Sequence, residues 1–454
     1  MSFVSQTPIS SSVRYPPGPK GYPILGNLPE LYRDPLGFLN RCNRNYGDII
    51  RVQLFKDFVY ILNHPDYIEE VLVKKSNKFA KPDFGNIFRL IVGNGLVTSE
   101  GNFWHRQRQL IQPSFHRQRF ANYGELMVAY TTHLLTTWQD GQTRYIYQDM
   151  KRLALETITK ILFQGNMPNK EDDVETAIEV SIKCFDRADS LFFSPLSWFP
   201  TPTKLHFHKA LQRLDAIVYS IIQRRRITGG DREDLLSMFL YIQDANGICM
   251  TDKELRDEVM TLLVAGSETV SIALSWTWYL LSQHPEVEAK LTAELQTSLG
   301  NRKPTPADLP QLRYAEMVVM ESLRLYPPTW FLSRTVVSEC EIAGYPLPAG
   351  GSVLLCPWMI HRDHRFFEEP EIFTPERWAN DLVKRLPKFA YFPFGGGARG
   401  CIGKYFAMMQ AVLVLATIAQ KFRLTLLPPS HRVKPLPGLT LRPNSGLKML
   451  LTKR

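Results

Sequence analysis

The segment FPFGGGARGCIG, residues 392–403, sets one cysteine, Cys401, among five glycines, with Arg399 two residues before it. A cysteine just ahead of a helix lies at the positive end of the helix dipole, which favours the thiolate, and a thiolate is a metal ligand. Gly395, Gly396 and Gly397 let the backbone approach a flat object with no Cβ in the way. Gly403 lets the following amides turn toward the sulfur, where N–H to S bonds would tune its electron donation. Arg399 is a fixed cation suited to a carboxylate. On these residues alone three readings compete: a tight turn, a phosphate cradle, and a seat for a flat cofactor. The Lys-Ser/Thr pair that ends a phosphate loop is absent. A lone cysteine is also commonly a buried, inert thiol.

Three further sets have spacings that could do work. Glu321 and Arg324, in ESLR, are three residues apart and share a helix face, which by itself reads as an ordinary ion pair. Trp104 and Arg108, in WHRQR, are one helical turn apart, a spacing that also suits a core residue beside a solvated edge. In AGSET, Thr269 can bond back to the carbonyl of Ala265 while Gly266 adds no side chain. Glu268 beside it is costly in a buried helix unless it is paired or used.

The elements that must position these residues are mostly helical. From 251 the sequence reads as one long helix, with Thr251 and Glu254 spaced as a capping box and Pro285 at the end, about 48 Å by length. Apolar nearly all round its middle, it must be buried. A second helix, YAEMVVMESLRLY, stops before Pro327 and Pro328, and a last one runs from about Ile402 to about Lys421. FVYILNHPDYIEEVLV reads as strand, turn and helix, and CEIAGYPLPAGGSVLLCPWMI alternates like a small sheet. The expected fold class is mainly α with a minor β part: a polar, proline-rich N-terminus over 1–20, flexible by composition, then one large domain over 21–454. The stretch LFFSPLSWFPTPTKLHFH, 191–208, reads as an exposed or lid-forming loop pair.

Composition bounds the class. The chain has 454 residues, is 44% hydrophobic and carries a net charge of +10. It has no uninterrupted apolar run of membrane length and no signal-peptide profile, so a cytoplasmic protein without a transmembrane anchor is expected. Six cysteines, none in a C-x-x-C pair, argue against zinc ribbons and thioredoxin-like motifs and fit a reducing compartment. The basic residues are scattered, which speaks against nucleic acid.

The pattern F-x-x-G-x-R-x-C-x-G, here Phe394, Gly397, Arg399, Cys401 and Gly403, resembles the haem-binding loop of the cytochromes P-450, the haem-thiolate monooxygenases. In that family a cysteine thiolate is the proximal ligand of haem iron. The resemblance runs from PPGPKG to LRP and leaves no length for a fused reductase. It implies haem b seated by Cys401, Phe394, Gly395, Gly403 and Ala265, with Trp104, Arg108, Arg334 and Arg399 at its two propionates. It makes Glu321, Arg324 and Arg377, the last from PERW, a structural triad. AGSET is similar to the family's oxygen-activation motif, which implies that Thr269 and Glu268 serve proton delivery to bound oxygen. Val270 stands where many relatives have a second hydroxyl.

The reaction implied is insertion of one atom of dioxygen into a C–H bond of an apolar substrate. Electrons would come from a separate acidic ferredoxin or flavodoxin-like donor, with Arg106, Arg117, Arg119 and Lys404 expected on the docking face. By family position the pocket is expected to be lined by Phe84, Ile87, Phe88, Leu263, Thr329, Trp330, Phe331 and Leu439. The style of the 93–116 region is similar to soluble bacterial enzymes of the fatty-acid-hydroxylase-like branch, and a long-chain fatty acid or a terpenoid would both fit. Two rivals remain open: a haem-thiolate hydroperoxide isomerase or dehydratase, and a non-enzymatic haem sensor or electron store.

Overall fold

A computed structural model describes residues 15–82, 85–115, 120–163, 202–228, 234–444 and 446–454. Phe84, Arg117, Arg119, the side chain of Ile87 and most of 191–208 lie outside the described residues.

The long helix spans Asp252–Gln283, 32 residues, and opens on the expected capping box: Thr251 Oγ1 accepts from the Glu254 amide while the Glu254 carboxylate accepts from the Thr251 amide. Such reciprocal capping satisfies two of the helix's orphan donors. Residues 255–264 and 270–281 are buried throughout, as an all-round apolar helix requires. One half packs in a core cluster with Phe207–Ile222 side chains, Leu235, Leu236 and Phe239; the other packs with Met150, Leu153, Val318 and the final helix, Lys404–Ala419. Helix Ile146–Phe163 lies along it, and Gly266 admits Ile158, whose Cγ1 would sit 3.2 Å from any added Cβ. Among the described residues this long helix alone is long and apolar enough to cross a membrane, and 83% of its most apolar window is buried inside the fold.

The β part is small. A five-stranded sheet runs in the spatial order Ile49–Leu54, Asp57–Leu62, Ser352–Leu355, Leu332–Val336 and Phe79–Ala80. Strands Ile49–Leu54 and Asp57–Leu62 form a hairpin, and Asp57–Leu62 pairs in parallel with Ser352–Leu355. The fold is mainly helical with minor sheets. Helix Arg313–Leu325 ends before the two prolines, and strand Leu332–Val336 follows them, so ESLR and Arg334 are set by adjoining elements.

Candidate functional site

The cysteine segment folds back on itself before its helix begins. The Cys401 amide donates to the Phe394 carbonyl at 2.9 Å, Gly395 to Phe392 at 2.9 Å and Gly400 to Gly397 at 3.1 Å. The helix starts at Lys404 with Gly403 at its cap. The glycines have reasons that the sequence reading missed. A Cβ on Gly396 would fall 2.1 Å from the Phe389 ring, and one on Gly397 2.1 Å from the Leu72 carbonyl oxygen. Gly395 and Gly397 both have φ of +66°, a left-handed geometry that side chains resist. Gly396 and Gly397 thus allow a close approach of distant parts of the chain, and Gly395 and Gly397 make the turn. Only Gly403 looks toward the sulfur, with Cys401 Sγ the nearest atom, 4.0 Å from an added Cβ.

Cys401 is exposed in surface area, yet burial is the largest influence on its thiol and pushes its pKa up; the Gly403 amide, Arg108 and Lys404 oppose that rise. The two observations agree if the sulfur borders an internal hollow rather than open solvent. The expected depression by the helix dipole is thus outweighed, and a bound cation is what would hold a thiolate here.

A second uncovered surface lies on the long helix. Ala265 is exposed and Gly266 and Thr269 are half-buried, in the middle of an otherwise buried helix. Thr269 Oγ1 donates to the Ala265 carbonyl at 2.8 Å, as its spacing suggests. Glu268 is buried and turned to another partner set: the Tyr147 hydroxyl donates to its Oε1 at 3.1 Å, and Arg442 Nε lies 3.9 Å from the same oxygen. Burial first, then the charge of Glu268, raises the Tyr147 phenol well above its ordinary range, so it stays a donor.

Basic groups gather beside the cysteine segment. Arg399 stacks on Trp104, 3.6 Å from the ring centroid, donates to the Ser99 carbonyl and pairs with Glu100. Arg108 donates to the Gly400 carbonyl at 3.0 Å. Burial lowers Arg334 to about 10, with Arg399 adding to the fall. Lys81, which the sequence reading missed, is lowered to about 7 by burial and by Arg399. It donates to the carbonyls of Leu96 at 2.8 Å and Val97 at 2.6 Å, while its own amide donates to Glu100. No local spacing marks it, because its partners lie 15 or more residues away.

Glu321 is fully buried and accepts from Arg324, from Arg377 Nε at 2.8 Å, from Trp378 Nε1 at 2.9 Å and from the Thr374 amide at 3.0 Å. Arg324 in turn donates to the carbonyls of His361 and Ile372. This network ties the second helix to the meander that precedes the cysteine segment.

Three of the residues expected at the pocket are packed in the core. Phe88 and Leu263 are packed inside the second core cluster. Trp330 is buried in the cluster beneath the sheet, its indole N–H donating to the Gly438 carbonyl. Thr329, Phe331 and Leu439 remain half-buried. Arg106 is held by Asp244 at 2.6 Å and Glu254 at 2.8 Å, so it is not offered to a partner as a free charge; Lys404 is exposed.

A haem carries two carboxylates and a cation that takes a fifth ligand. The residues fit it: Lys81, Arg334 and Arg399 crowd together near Glu100, with Glu258 also acting on Lys81, Arg108 lies beside Arg399 and Cys401, and the cations outnumber these carboxylates next to an accessible sulfur.

Comparison with known proteins agrees. The sequence model described as Cytochrome P450 matches residues 16–451. The chain is 34% identical over 448 residues to cyclooctatin synthase of Streptomyces melanosporofaciens, covering 98% of this chain and 95% of that one. It is 32% identical to pentalenene oxygenase of Streptomyces avermitilis, covering 96% and 97%. Its fold is similar to retinoic acid bound cyanobacterial CYP120A1, with a TM-score of 0.86, 26% identity and coverage of 98% and 100%. A haem with an axial cysteine thiolate, dioxygen, an apolar substrate and a redox partner go with that family. The chain belongs to the cytochrome P450 family and is a P450 monooxygenase.

Proposed function

We propose that this monooxygenase oxidises a C–H bond of a terpenoid, with Cys401 as the axial ligand of its haem. The near full-length similarity to cyclooctatin synthase, with pentalenene oxygenase beside it, carries the choice of terpenoid over fatty acid. Haem, when bound, supplies dioxygen activation and oxygen-atom transfer; the chain supplies ligand, charge, proton route and pocket. Arg334, Arg399 and Arg108, with Trp104 stacked under Arg399, bind the haem carboxylates, and Lys81 adds a cation next to them. Unpaired, each of those carboxylates in a dry site would cost several kcal/mol.

On the long helix, the Thr269 hydroxyl, which donates to the Ala265 carbonyl, is the group that would turn its hydrogen bond toward dioxygen, with its proton replaced from the chain's own proton route. Glu268 is the buried carboxylate behind it, held by Tyr147 and Arg442. The apolar groups at Ala265, Phe331 and Leu439 seat the substrate and exclude water. Electrons come from a separate acidic ferredoxin or flavodoxin that docks on the face carrying Lys404, and the bacterial relatives support a cytoplasmic setting.

Two measurements test this. Cys401→His should abolish the thiolate-type spectrum of the reduced carbon monoxide complex; an unchanged spectrum would sink the ligand assignment. Titrating the ferric protein with pentalenene and with a long-chain fatty acid should give a saturating low-to-high-spin shift, followed by oxidised product, with the terpene. A shift and product with the fatty acid alone would replace the substrate class. Turnover of a hydroperoxide without reductant would favour an isomerase.

A further inference from the structure

The hairpin 435–443 reaches both the substrate side and the acid. Its strands Pro435–Pro437 and Leu441–Pro443 pair in antiparallel fashion over three positions, and prolines occupy 435, 437 and 443. Proline donates nothing to a ladder, and a two-stranded ribbon is marginal even with a full one. The hairpin's position is therefore set from outside. Two indoles do this: Trp276 Nε1, from the long helix, donates to the Leu441 carbonyl at 2.8 Å, and Trp330 Nε1 donates to the Gly438 carbonyl at 2.8 Å. The Leu441 amide also donates to the Pro328 carbonyl at 2.9 Å. At the turn, Leu439 packs half-buried against the cluster that holds Leu262 and Leu263. Three residues later Arg442 stands beside Glu268. Leu439 and Arg442 are three residues apart, and Leu441 between them is pinned at both its carbonyl and its amide, so the two side chains are placed together.

We propose that this hairpin is a positioning element, anchored by Trp330, that ties the substrate's seat at Leu439 to the placement of the Glu268 carboxylate through Arg442. The inference rests on the reading above that Leu439 borders the substrate and that Glu268 serves proton delivery. Trp330→Phe keeps the apolar bulk and removes the donor. In the haem-loaded protein it should make amide exchange across 438–442 about fivefold faster, the equivalent of one lost hydrogen bond. With pentalenene it should shift the ratio of oxidised isomers by about threefold or more, and it should raise the share of reducing equivalents recovered as peroxide. Arg442→Gln, which leaves both indole bonds in place, should raise the peroxide share and alter its pH profile while the isomer ratio stays near that of the wild type. Unchanged exchange in Trp330→Phe overturns the proposal. So does a changed isomer ratio with an unchanged peroxide share, which would make the hairpin a wall of the pocket and nothing more. Exchange needs no turnover, so a wild-type protein that yields no terpene product counts against the proposed function while the exchange comparison still decides the anchor.

Discussion

Glu321 shows how much one buried charge can be asked to do. Its two oxygens accept from two arginines, an indole and a backbone amide, and its side chain and that of Arg324 have no solvent exposure. Breaking a buried pair leaves the partner charge without compensation, at a cost of about 3–5 kcal/mol. Glu321→Gln retains shape but strands Arg324, so it should lower the unfolding free energy from urea denaturation by an amount in that range, and the cysteine segment should lose haem with it. A midpoint within error of the wild type would show that the network is dispensable. The same logic explains Glu268, where a carboxylate that looked exposed to cost in the sequence has Tyr147 and Arg442 against it.

At the scale of elements, the loop 93–100 is held by titratable side chains that come from elsewhere. Asp257 and Glu258, on the first turns of the long helix, accept from the amides of Asn94 at 2.9 Å and Leu96 at 3.0 Å, and Lys81 grips the Leu96 carbonyl. Burial pushes the Glu258 carboxyl up from 4.5 to about 8, opposed by the Leu96 amide and assisted by Asp257. A raised acid means that the folded state binds a proton that the unfolded state has lost between those two values. The contribution of Glu258 is therefore fully present below pH 4.5 and is lost as pH rises through about 8. Glu258→Gln cannot ionise, so its Tm relative to wild type should climb from pH 5 to pH 9, by about a few degrees for a chain of this size. Parallel melting curves for the two proteins across that range would refute the assignment.

For the whole molecule, the net charge of +10 matters through where it is presented. Arg106 is spent on Asp244 and Glu254, which leaves exposed Lys404, three residues from Cys401, as the described basic group on the expected docking face. Electrostatic complementarity governs association more than bound-state chemistry. Lys404→Glu should raise the KM for an acidic ferredoxin severalfold at low salt and leave kcat nearly unchanged, with the difference fading as ionic strength increases. Equal KM values at low salt would place the donor elsewhere.

The sequence by itself determined whatever depends on neighbours within a few residues. The capping box at Thr251 and Glu254, the bond from Thr269 to Ala265, the pairing of Glu321 with Arg324 and the run from Phe394 to Gly403 were all legible, because helical spacing and turn chemistry are local. The family followed from that run. Tertiary structure alone decided which partner each group found. It sent the Trp330 indole to Gly438, gave Gly396 and Gly397 to Phe389 and Leu72, and brought Lys81 to Leu96. It set Arg442 against a carboxylate 174 positions earlier in the chain. Spacing fixes the face a side chain occupies, but what lies opposite that face depends on how distant elements pack, and burial then sets the charge each group can keep.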